Sequence, residues 1–147
     1  MIMKDFIVDT RQIHRGVAAG ADAILLLASI LDAAQIRRFI GVCDELGRDA
    51  LVEVHDGREL DRAIAGGARL IGVNNRNLED FNVDLATSER LGGLMPDGVI
   101  KVTESGIHSR TDVERLLAAG FNAFLVGESL LRKNDRERAV RDLRGAA

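Results

Sequence analysis

The sequence predicts an α/β fold: a partial (β/α) barrel of about six consecutive βα units with parallel strands. One repeated pattern leads to this prediction, in which a helix end and a glycine precede a short link and a buried apolar strand. A glycine at that place can adopt the left-handed conformation that ends a helix. The pattern occurs at Ala18–Leu27 (AAGADAILLL), Leu46–Val54 (LGRDALVEV), Ala65–Val73 (AGGARLIGV) and Ala118–Gly127 (AAGFNAFLVG).

The strands are predicted where short apolar runs follow these glycines or open the chain. In chain order, the predicted strands are Ile2–Val8, Ala23–Leu27, Ala50–Val54, Leu70–Asn74, Ile100–Glu104 and Ala123–Gly127. Amphipathic stretches with apolar residues at helical spacing predict helices at Arg11–Ala19, Asp32–Leu46, Gly57–Ala65, Asp84–Leu94, Ser109–Ala119 and Asp135–Leu143. Asp32, Asp84 and Asp135 stand where N-caps belong, because an aspartate there can accept hydrogen bonds from free backbone N–H groups.

Polar clusters at the ends of two predicted strands are the strongest functional signal. LIGVNNRNL (Leu70–Leu78) and TESGI (Thr103–Ile107) both pass from an apolar run directly into amide or charged side chains. Buried parallel strands are usually plain runs of Val, Ile and Leu. Polar groups crowded at their C-terminal ends cost free energy unless they hold a ligand. We therefore expect a catalytic face at the C-terminal edge of the sheet.

The number of strands that carry such residues favours a barrel over an open sheet. An open doubly wound sheet binds its ligand at the switch point where the strand order reverses. A barrel gathers side chains from many strand ends at one mouth. Here the first, third, fourth and fifth strands contribute Lys4, Glu53, Asn74 with Arg76, and Glu104 with Ser105. These side chains can reach one ligand only if the sheet curls round.

Composition excludes several classes of protein. One domain is expected over residues 1–147. The 20 basic and 23 acidic residues are interleaved and the net charge is −3, which argues against a nucleic-acid surface. The single cysteine, Cys43, excludes a disulfide framework and a thiolate metal site. The histidines lie in no ligand pattern, so we predict no metal and expect surface or packing positions for His14, His55 and His108. No apolar run approaches membrane-spanning length, so we predict a cytoplasmic protein without a membrane partner.

Two charged candidates have a structural interpretation beside the functional one. Lys4, close to the N-terminus, could be a solvated charge. Glu53 alternates with Val52 and Val54, so it should point into the barrel if the valines face the helices. A lysine from a neighbouring strand would compensate a buried carboxylate there. A purely structural ion pair would give the same sequence pattern.

The amides and glycines at the strand ends are open to two interpretations as well. Asn74 to Asn77 could form a turn, although Arg76 between them offers a planar fork suited to a carboxylate. Gly106 and Gly127 could be simple turn glycines. They could also let backbone N–H groups approach a phosphate, since barrels often bind phosphate in the loops after their last two strands.

Six segments together strongly resemble indole-3-glycerol-phosphate synthase, an enzyme family of tryptophan biosynthesis. They are KDFIVDTRQI, ADAILLLASIL, LVEVHDGRELDRAI, GARLIGVNNRNLEDFNVDL, ESGI and LVGESLLR, which occur in this order. The resemblance extends over essentially the whole chain. The resemblance implies a carboxy-lyase that converts 1-(2-carboxyphenylamino)-1-deoxyribulose 5-phosphate into indole-3-glycerol phosphate. The reaction releases carbon dioxide and water, and the resemblance implies that it needs no cofactor and no metal.

The resemblance also implies roles for individual residues. Lys4 would be the catalytic acid on the ketone oxygen, and Glu53 beside it would take part in proton transfer. Asn74 and Glu104 would orient hydroxyl groups of the sugar-derived chain, with Ser105 next to them. The implied substrate-binding residues are Arg76 for the anthranilate carboxylate, Phe6, Leu25 and Leu78 for the aromatic ring, and Gly106, Gly127 and the backbone of Glu128 for the phosphate.

The chain is shorter than the resembled family. A complete barrel has eight βα units and about 250 residues, and this sequence begins within what looks like the third strand. We therefore expect the first two units, with a catalytic glutamate and a second catalytic lysine, to be missing and the chain to be inactive alone. It could be a gene fragment, a split enzyme that needs an N-terminal segment, or a scaffold that self-associates as a homo-oligomer. Another phosphate-binding barrel enzyme, such as an isomerase, is the weaker alternative.

Overall fold

The computed structural model describes residues 1–78 and 80–145, in which six strands alternate with seven helices. The strands are β1 (Ile2–Met3), β2 (Ala23–Leu27), β3 (Asp49–Val54), β4 (Leu70–Asn74), β5 (Ile100–Glu104) and β6 (Ala123–Leu125). The helices are α1 (Thr10–Ala18), α2 (Ala33–Glu45), α3 (Gly57–Ala65), α4 (Ala86–Gly92), α5 (Arg110–Ala118), α6 (Glu128–Leu131) and α7 (Arg136–Arg144).

The sheet is parallel, and its strand order is the order along the chain. Each strand pairs in parallel with the next, from β1 to β6. The sheet curls strongly, because the side chain of Lys4, directly after β1, contacts Glu104 at the end of β5. In a flat sheet these two strands would lie about 19 Å apart, at four spacings of roughly 4.8 Å. The partial (β/α) barrel predicted from the sequence is confirmed.

The hydrophobic core lies in two layers, one on each face of the sheet. On β3, Val52 and Val54 belong to the larger layer, between the sheet and the helices. Leu51 belongs to the smaller layer inside the curl, and Glu53 alternates with the valines onto this inner face, as predicted. The inner layer consists of Leu25, Leu27, Leu51 and Val102, and forms an apolar floor below the polar strand ends.

Most element bounds match the predicted ones closely. Strands β2, β4 and β5 and helix α3 have the predicted bounds. Asp32 and Asp135 are N-caps, whose carboxylates accept hydrogen bonds from the backbone N–H groups of Gln35 and Arg138 at 2.8 and 2.9 Å. The glycines that end helices in the repeated pattern all have positive φ: Gly20, Gly47, Gly67 and Gly120.

Two strands are shorter than predicted because other partners hold their backbones. The predicted strand Ile2–Val8 ends at Met3, since Gln12 accepts a hydrogen bond from Val8 N and donates one to the carbonyl oxygen of Phe6. The predicted strand Ala123–Gly127 ends at Leu125. Gly127 instead begins the short helix α6, which the sequence did not predict.

Helix α4 is also shorter than the predicted range Asp84–Leu94. Its N-cap is Leu85 rather than Asp84, so that prediction was wrong by one residue. The reason is that the backbone N–H of Asp84 donates to the carbonyl oxygen of Asn75 and so belongs to the loop after β4. The Asp84 carboxylate still accepts a hydrogen bond from Ala86 N at 2.9 Å, close to the helix start.

The two outer strands of the curled sheet are unpaired on one side among the described residues. β1 pairs with β2 alone, and β6 with β5 alone. Exposed apolar side chains lie close to both strands, with Phe6 65% and Leu131 66% exposed. Within residues 1–78 and 80–145, no helix is long and apolar enough to cross a membrane.

Candidate active site

Lys4 lies between two buried carboxylates at the C-terminal edge of the sheet. Its Nζ donates to Oε2 of Glu53 at 3.1 Å and to Oε2 of Glu104 at 2.6 Å. Both carboxylates are nearly fully buried, with Glu53 4% and Glu104 2% exposed, whereas the Lys4 side chain is 36% exposed. The interpretation of Lys4 as a solvated N-terminal charge is therefore wrong.

The strand register sets this arrangement. Asn74, the last residue of β4, lies beside Glu104, the last residue of β5. Side chains paired in this way point to the same face, so both extend into the curl. The Asn74 amide donates to Oε1 of Glu53 at 3.0 Å, and its own Oδ1 accepts from Arg76 N at 3.0 Å. Asn74 thus connects the carboxylate of β3 to the loop that carries Arg76.

A glycine makes room for the second carboxyl group. Gly72 lies on β4 beside Glu53 in the strand register, and a Cβ atom on Gly72 would overlap Oε1 of Glu104. That Oε1 is buried and has no hydrogen-bond partner among the described residues. Glu104 therefore has one carboxyl oxygen on Lys4 and the other in a tight apolar space against the β4 backbone.

The two carboxylates have opposite electrostatic surroundings. Burial alone raises the pKa of Glu53, but His55, Asn74 and the charge of Lys4 together lower that pKa to about 2. Burial and then the negative charge of Glu53 raise the pKa of Glu104, and Lys4 offsets only part of this. Burial lowers the pKa of Lys4, but the two carboxylates raise it by more. The cluster favours an ionised Glu53, a protonated Lys4 and a proton held more tightly than usual on Glu104.

His55 is part of this cluster, although the sequence analysis assigned it to the surface or to packing. Its Nε2 lies 3.3 Å from Oε1 of Glu53, and its Nδ1 lies 3.0 Å from Oε2 of Glu59. Burial lowers the pKa of His55, but the two carboxylates raise it to about 9. The sequence held a signal for this contact, because residues two apart on a strand point to the same face and His55 follows Glu53 by two positions.

Most of the predicted site residues surround one cavity of about 270 Å³. Its lining also includes Val83, Ile107 and Ser129. Glu53 reaches the same centre through its hydrogen bond with Lys4. The predicted residues that line the cavity are Lys4, Asn74, Arg76, Glu104, Ser105, Gly106, Gly127 and Glu128.

Arg76 and Glu128 bridge one side of this cavity. Nη2 of Arg76 donates to Oε2 of Glu128 at 2.8 Å, and Arg132 contacts the other carboxylate oxygen of Glu128 at 2.8 Å. The charges of Arg132 and then Arg76 lower the pKa of Glu128. Arg76 also borders a second cleft of about 540 Å³, which His55, Glu59 and Arg90 line on the other side of the loop after β4.

The two predicted phosphate-binding glycines differ in what their backbones require. Gly106 has φ +78°, and a Cβ there would lie 2.6 Å from Cγ1 of Val83. Its neighbour Ser105 also has a positive φ, +67°, so the turn after β5 is strained for any other side chain. Gly127 has φ −122°, and no heavy atom of the described residues lies within 4 Å of a Cβ built on it. Gly127 therefore faces open space.

The three residues predicted to wall an aromatic ring do not line this cavity. Leu25 is buried in the inner apolar layer beneath the strand ends. Leu78 is 49% exposed and lines the second cleft, together with Arg76. Phe6 is 65% exposed on the loop after β1. The structure thus brings the polar site residues together and leaves these apolar ones around them.

A buried polar network braces the loops from behind the site, and sequence analysis missed it. The Asn75 amide donates to Oγ1 of Thr103 at 3.0 Å and to the carbonyl oxygens of Glu104 and Ser105, each at 3.1 Å. Its Oδ1 accepts from the backbone and the hydroxyl of Ser88 at 3.1 and 2.8 Å. Asn75 therefore ties the ends of β4 and β5 to α4. In the sequence, it looks like any member of the run of amides.

No group of three or more His, Cys, Asp or Glu side chains in residues 1–78 and 80–145 is arranged to hold a metal ion. The polar groups that converge at the strand ends are an ammonium, carboxylates, an amide and a guanidinium. Such a set can bind an anionic, hydroxylated molecule, protonate a carbonyl oxygen and accept a proton.

Solved structures of low sequence identity share this fold. Mandelate oxidase with benzoyl-formic acid matches with a TM-score of 0.74 at 17% identity, over 96% of this chain and 56% of that chain. KGPDC from Streptococcus mutans matches with a TM-score of 0.74 at 12% identity, over 98% of this chain and 69% of that chain. At these identities the matches show the architecture alone.

Sequence comparison identifies the family. The model of the family "Indole-3-glycerol phosphate synthase" matches residues 1–143. A relative of that name from Chlorobium chlorochromatii is 50% identical over 130 residues, which are 88% of this chain and 51% of the relative. One from Lactiplantibacillus plantarum is 49% identical over 143 residues, 97% of this chain and 55% of the relative. The chain thus spans about half the length of the curated relatives it matches, and it belongs to the indole-3-glycerol phosphate synthase family.

Proposed function

We propose that this chain supplies the Lys4-centred half of an active site that converts 1-(2-carboxyphenylamino)-1-deoxyribulose 5-phosphate into indole-3-glycerol phosphate in tryptophan biosynthesis. The observation that carries the proposal is the position of Lys4. Its ammonium lies between Glu53 and Glu104 and lines a cavity at the C-terminal edge of the sheet. Active sites of (β/α) barrels form at that edge.

The first step needs an acid at a carbonyl oxygen. An aryl carbon of the substrate attacks the ketone carbon, a carbon–carbon bond forms, and negative charge develops on the ketone oxygen. The Lys4 ammonium can donate a proton to that oxygen, because its pKa is raised and it is protonated at neutral pH. Loss of carbon dioxide then returns the bonding electrons to the ring system.

The dehydration that follows needs both an acid and a base. The hydroxyl group formed from the ketone leaves as water, and a proton leaves the neighbouring ring position. The ionised Glu53, whose pKa is lowered to about 2, can accept a proton or exchange one with Lys4 over 3.1 Å. Asn74 and Glu104 lie beside this pair, where they can hold hydroxyl groups of the sugar-derived chain, with Ser105 next to them.

Substrate binding is proposed for the outer part of the same cavity. Arg76 would bind the anthranilate carboxylate in place of the Glu128 carboxylate that it pairs with at 2.8 Å. Backbone N–H groups at Gly106, Gly127 and Glu128 would bind the phosphate, which anchors the substrate away from the reacting carbons. Phe6, Leu25 and Leu78 would surround the aromatic ring. Of these, Phe6 and Leu78 are exposed and would have to fold over the substrate.

We propose further βα units, or a second copy of this chain, as the partner that completes the site. The unpaired sides of β1 and β6 support this, since an open strand edge readily pairs with another strand. A groove of about 480 Å³ beside β1 is lined by Met1, Ile2 and Met3 together with polar side chains that include Arg15. One of about 410 Å³ beside β6 is lined mostly by apolar residues, such as Phe124 and Val126, with two arginines. The proposed setting is the cytoplasm, with no nucleic-acid or membrane partner.

Turnover measurements test this proposal. The chain alone should convert the carboxyphenylamino-deoxyribulose phosphate at close to the background rate, because each missing acid or base costs about two to four orders of magnitude. Adding a polypeptide that contains the first two βα units of a full-length relative should restore product formation. If the mixture forms a stable complex but yields no indole-3-glycerol phosphate, the proposed reaction is wrong. Light scattering of the chain alone gives its molar mass and so tests self-association separately from turnover. We expect a homo-oligomer.

A further inference from the structure

Charged side chains of alternating sign form a chain of contacts from the outside of α3 into the curl of the sheet. Starting outside, Arg62 lies 3.9 Å from Glu59, Glu59 3.0 Å from His55, His55 3.3 Å from Glu53, Glu53 3.1 Å from Lys4, and Lys4 2.6 Å from Glu104. Three of these residues carry positive and three carry negative groups. Lys4, Glu53 and Glu104 form the centre of the proposed reaction. The proposed reaction assigns no role to His55 or Glu59.

We propose that His55 is a positioning residue: clamped by Glu59, it holds Glu53 as the ionised carboxylate of the pair and leaves the proton on Glu104. This inference rests on the proposed function, since the Lys4 cluster matters for turnover only if it is the reaction centre. The inference adds one requirement to the proposed function: Glu53 and Glu104, which share the Lys4 ammonium, have different and fixed protonation states.

The geometry of the clamp fixes the imidazole ring. Oε2 of Glu59 accepts hydrogen bonds from both the backbone N–H of His55, at 2.8 Å, and its ring Nδ1, at 3.0 Å. Glu59 lies in the first turn of α3, and its backbone N–H donates to Asp56, the N-cap of that helix, at 2.8 Å. The start of α3 therefore holds the ring, and Nε2 then lies 3.3 Å from Oε1 of Glu53, an ion-pair distance without hydrogen-bond geometry.

Two neighbouring carboxyl groups cannot both be fully compensated by one ammonium. Lys4 contacts both groups, at 3.1 Å for Glu53 and 2.6 Å for Glu104, so Lys4 by itself does not favour ionisation of Glu53 over Glu104. Among the described residues, only Glu53 has further partners, the cationic ring of His55 at ion-pair distance and the amide of Asn74. Glu104 has its second oxygen in a tight space without a hydrogen-bond partner among the described residues. Burying a neutral carboxyl group in such a space costs less free energy than burying a carboxylate.

The consequence is a division of roles between the two groups. A carboxylate that stays ionised can accept a proton. A neutral Glu104 leaves the single positive charge of Lys4 to be balanced by Glu53. Without the His55 cation, Glu53 would keep only the Asn74 amide beyond Lys4, so the two carboxyl groups would differ less and share one proton more evenly. The pair would then populate both arrangements, and only one of them suits the reaction.

Carbon-13 NMR of the side-chain carboxyl groups in the full chain tests this inference. In a pH titration of the wild type, the Glu104 signal should change from carboxylic acid to carboxylate at a higher pH than the Glu53 signal. In His55→Gln, both signals should move to intermediate positions, as expected for a shared proton. His14→Gln, at an exposed residue of α1, is the matched control and should reproduce wild type. Unchanged Glu53 and Glu104 signals in a folded His55→Gln variant would overturn the inference.

A second variant keeps the test decisive if His55→Gln does not fold. Glu59→Gln retains an oxygen that can accept from the His55 backbone N–H but removes the negative charge. The titration midpoint of the His55 ring should then fall from about 9 by roughly one pH unit. Above the new midpoint, the two carboxyl signals should again converge, and a midpoint that stays unchanged would overturn the clamp. These measurements need no turnover, so they remain informative even if the complemented chain proves inactive and the proposed function fails.

Discussion

The ammonium of Lys4 lies 2.6 Å from the carboxylate of Glu104, although three strands separate β1 from β5 in the sheet. This contact is possible because the sheet curls, and it brings charges of opposite sign together at the polar ends of β1, β3 and β5. Lys4 is the side chain that joins the two carboxylates.

The first prediction concerns the stability of the chain in alkaline solution. The pKa of His55 is about 9 in the folded chain and ordinarily 6.5. Folding therefore favours the protonated ring, and its stabilisation is complete below pH 6.5 and lost as the pH rises through about 9. Allowing for solvent screening, the free energy of unfolding should fall by up to about 3 kcal/mol over this range on account of His55. Urea denaturation at a series of pH values measures this slope, which should flatten in His55→Gln and persist in His14→Gln. Equal slopes in all three proteins would contradict the assignment.

The second prediction concerns the space that Gly72 leaves for Glu104. Gly72→Ala should destabilise the fold by about 1–3 kcal/mol, the usual cost of overpacking, because the added Cβ overlaps the Glu104 carboxyl group. In a Glu104→Ala background, the same substitution should cost much less, since the clashing atoms are gone. A double-mutant cycle by urea denaturation gives the coupling free energy. If Gly72→Ala costs the same in both backgrounds, the clash lies elsewhere.

The third prediction concerns anion binding at the loops after β5 and β6. Gly127→Ala should weaken binding of inorganic phosphate by roughly tenfold, about 1.4 kcal/mol, because its methyl group would occupy the open space beside the proposed backbone donors. Its φ is negative, −122°, and no heavy atom of the described residues lies within 4 Å of the added Cβ, so Gly127→Ala should disturb the fold less than a substitution at Gly106. Calorimetric titration measures the affinity, with Gly41→Ala as the control because its Cβ also meets open space, on α2. Gly106 is unsuitable for this test, since its positive φ and its contact with Val83 make any substitution there destabilising. Equal phosphate affinity in Gly127→Ala and wild type would remove Gly127 from the proposed site.

The fourth prediction concerns the brace behind the site. Asn75→Ala should lower the free energy of unfolding by at least about 2 kcal/mol, because buried partners such as Ser88 and Thr103 would lose their hydrogen bonds. Asn134→Ala, at an exposed position, should stay within about 0.5 kcal/mol of wild type. Thermal or urea unfolding of the two variants provides the comparison. A negligible effect of Asn75→Ala would show that water can replace the network.

The residues that could be predicted from the sequence are those whose spacing carries the information. Alternation placed Glu53 on the inner face of β3, and the abrupt change from apolar to polar residues marked the end of β4 at Asn74. The contact of Lys4 with Glu104 depends on the curl of the sheet, which no local pattern encodes. The sequence also does not distinguish Asn75 from its neighbour Asn74, because both belong to one run of amides. In the structure, Asn75 braces the fold and Asn74 faces the cavity.

His55 shows a different limit of sequence analysis. Its position two residues after Glu53 put both side chains on one face, but its second partner, Glu59, lies on the following helix. A lone histidine near a strand end is compatible with many surroundings, and only the structure shows a ring held between two carboxylates. The early end of β6 was missed for a related reason, because the turn at Gly127 depends on hydrogen bonds within α6.

Turnover by the complemented chain, with and without Lys4, is the most direct test of the central claim that Lys4 is the catalytic acid. With the first two βα units of a full-length relative supplied in trans, Lys4→Ala should form indole-3-glycerol phosphate about 100- to 10,000-fold more slowly than wild type. Lys133→Ala, at an exposed lysine, should match wild type, and circular dichroism should show that both variants are folded. Near-normal turnover by a folded Lys4→Ala variant would contradict the account.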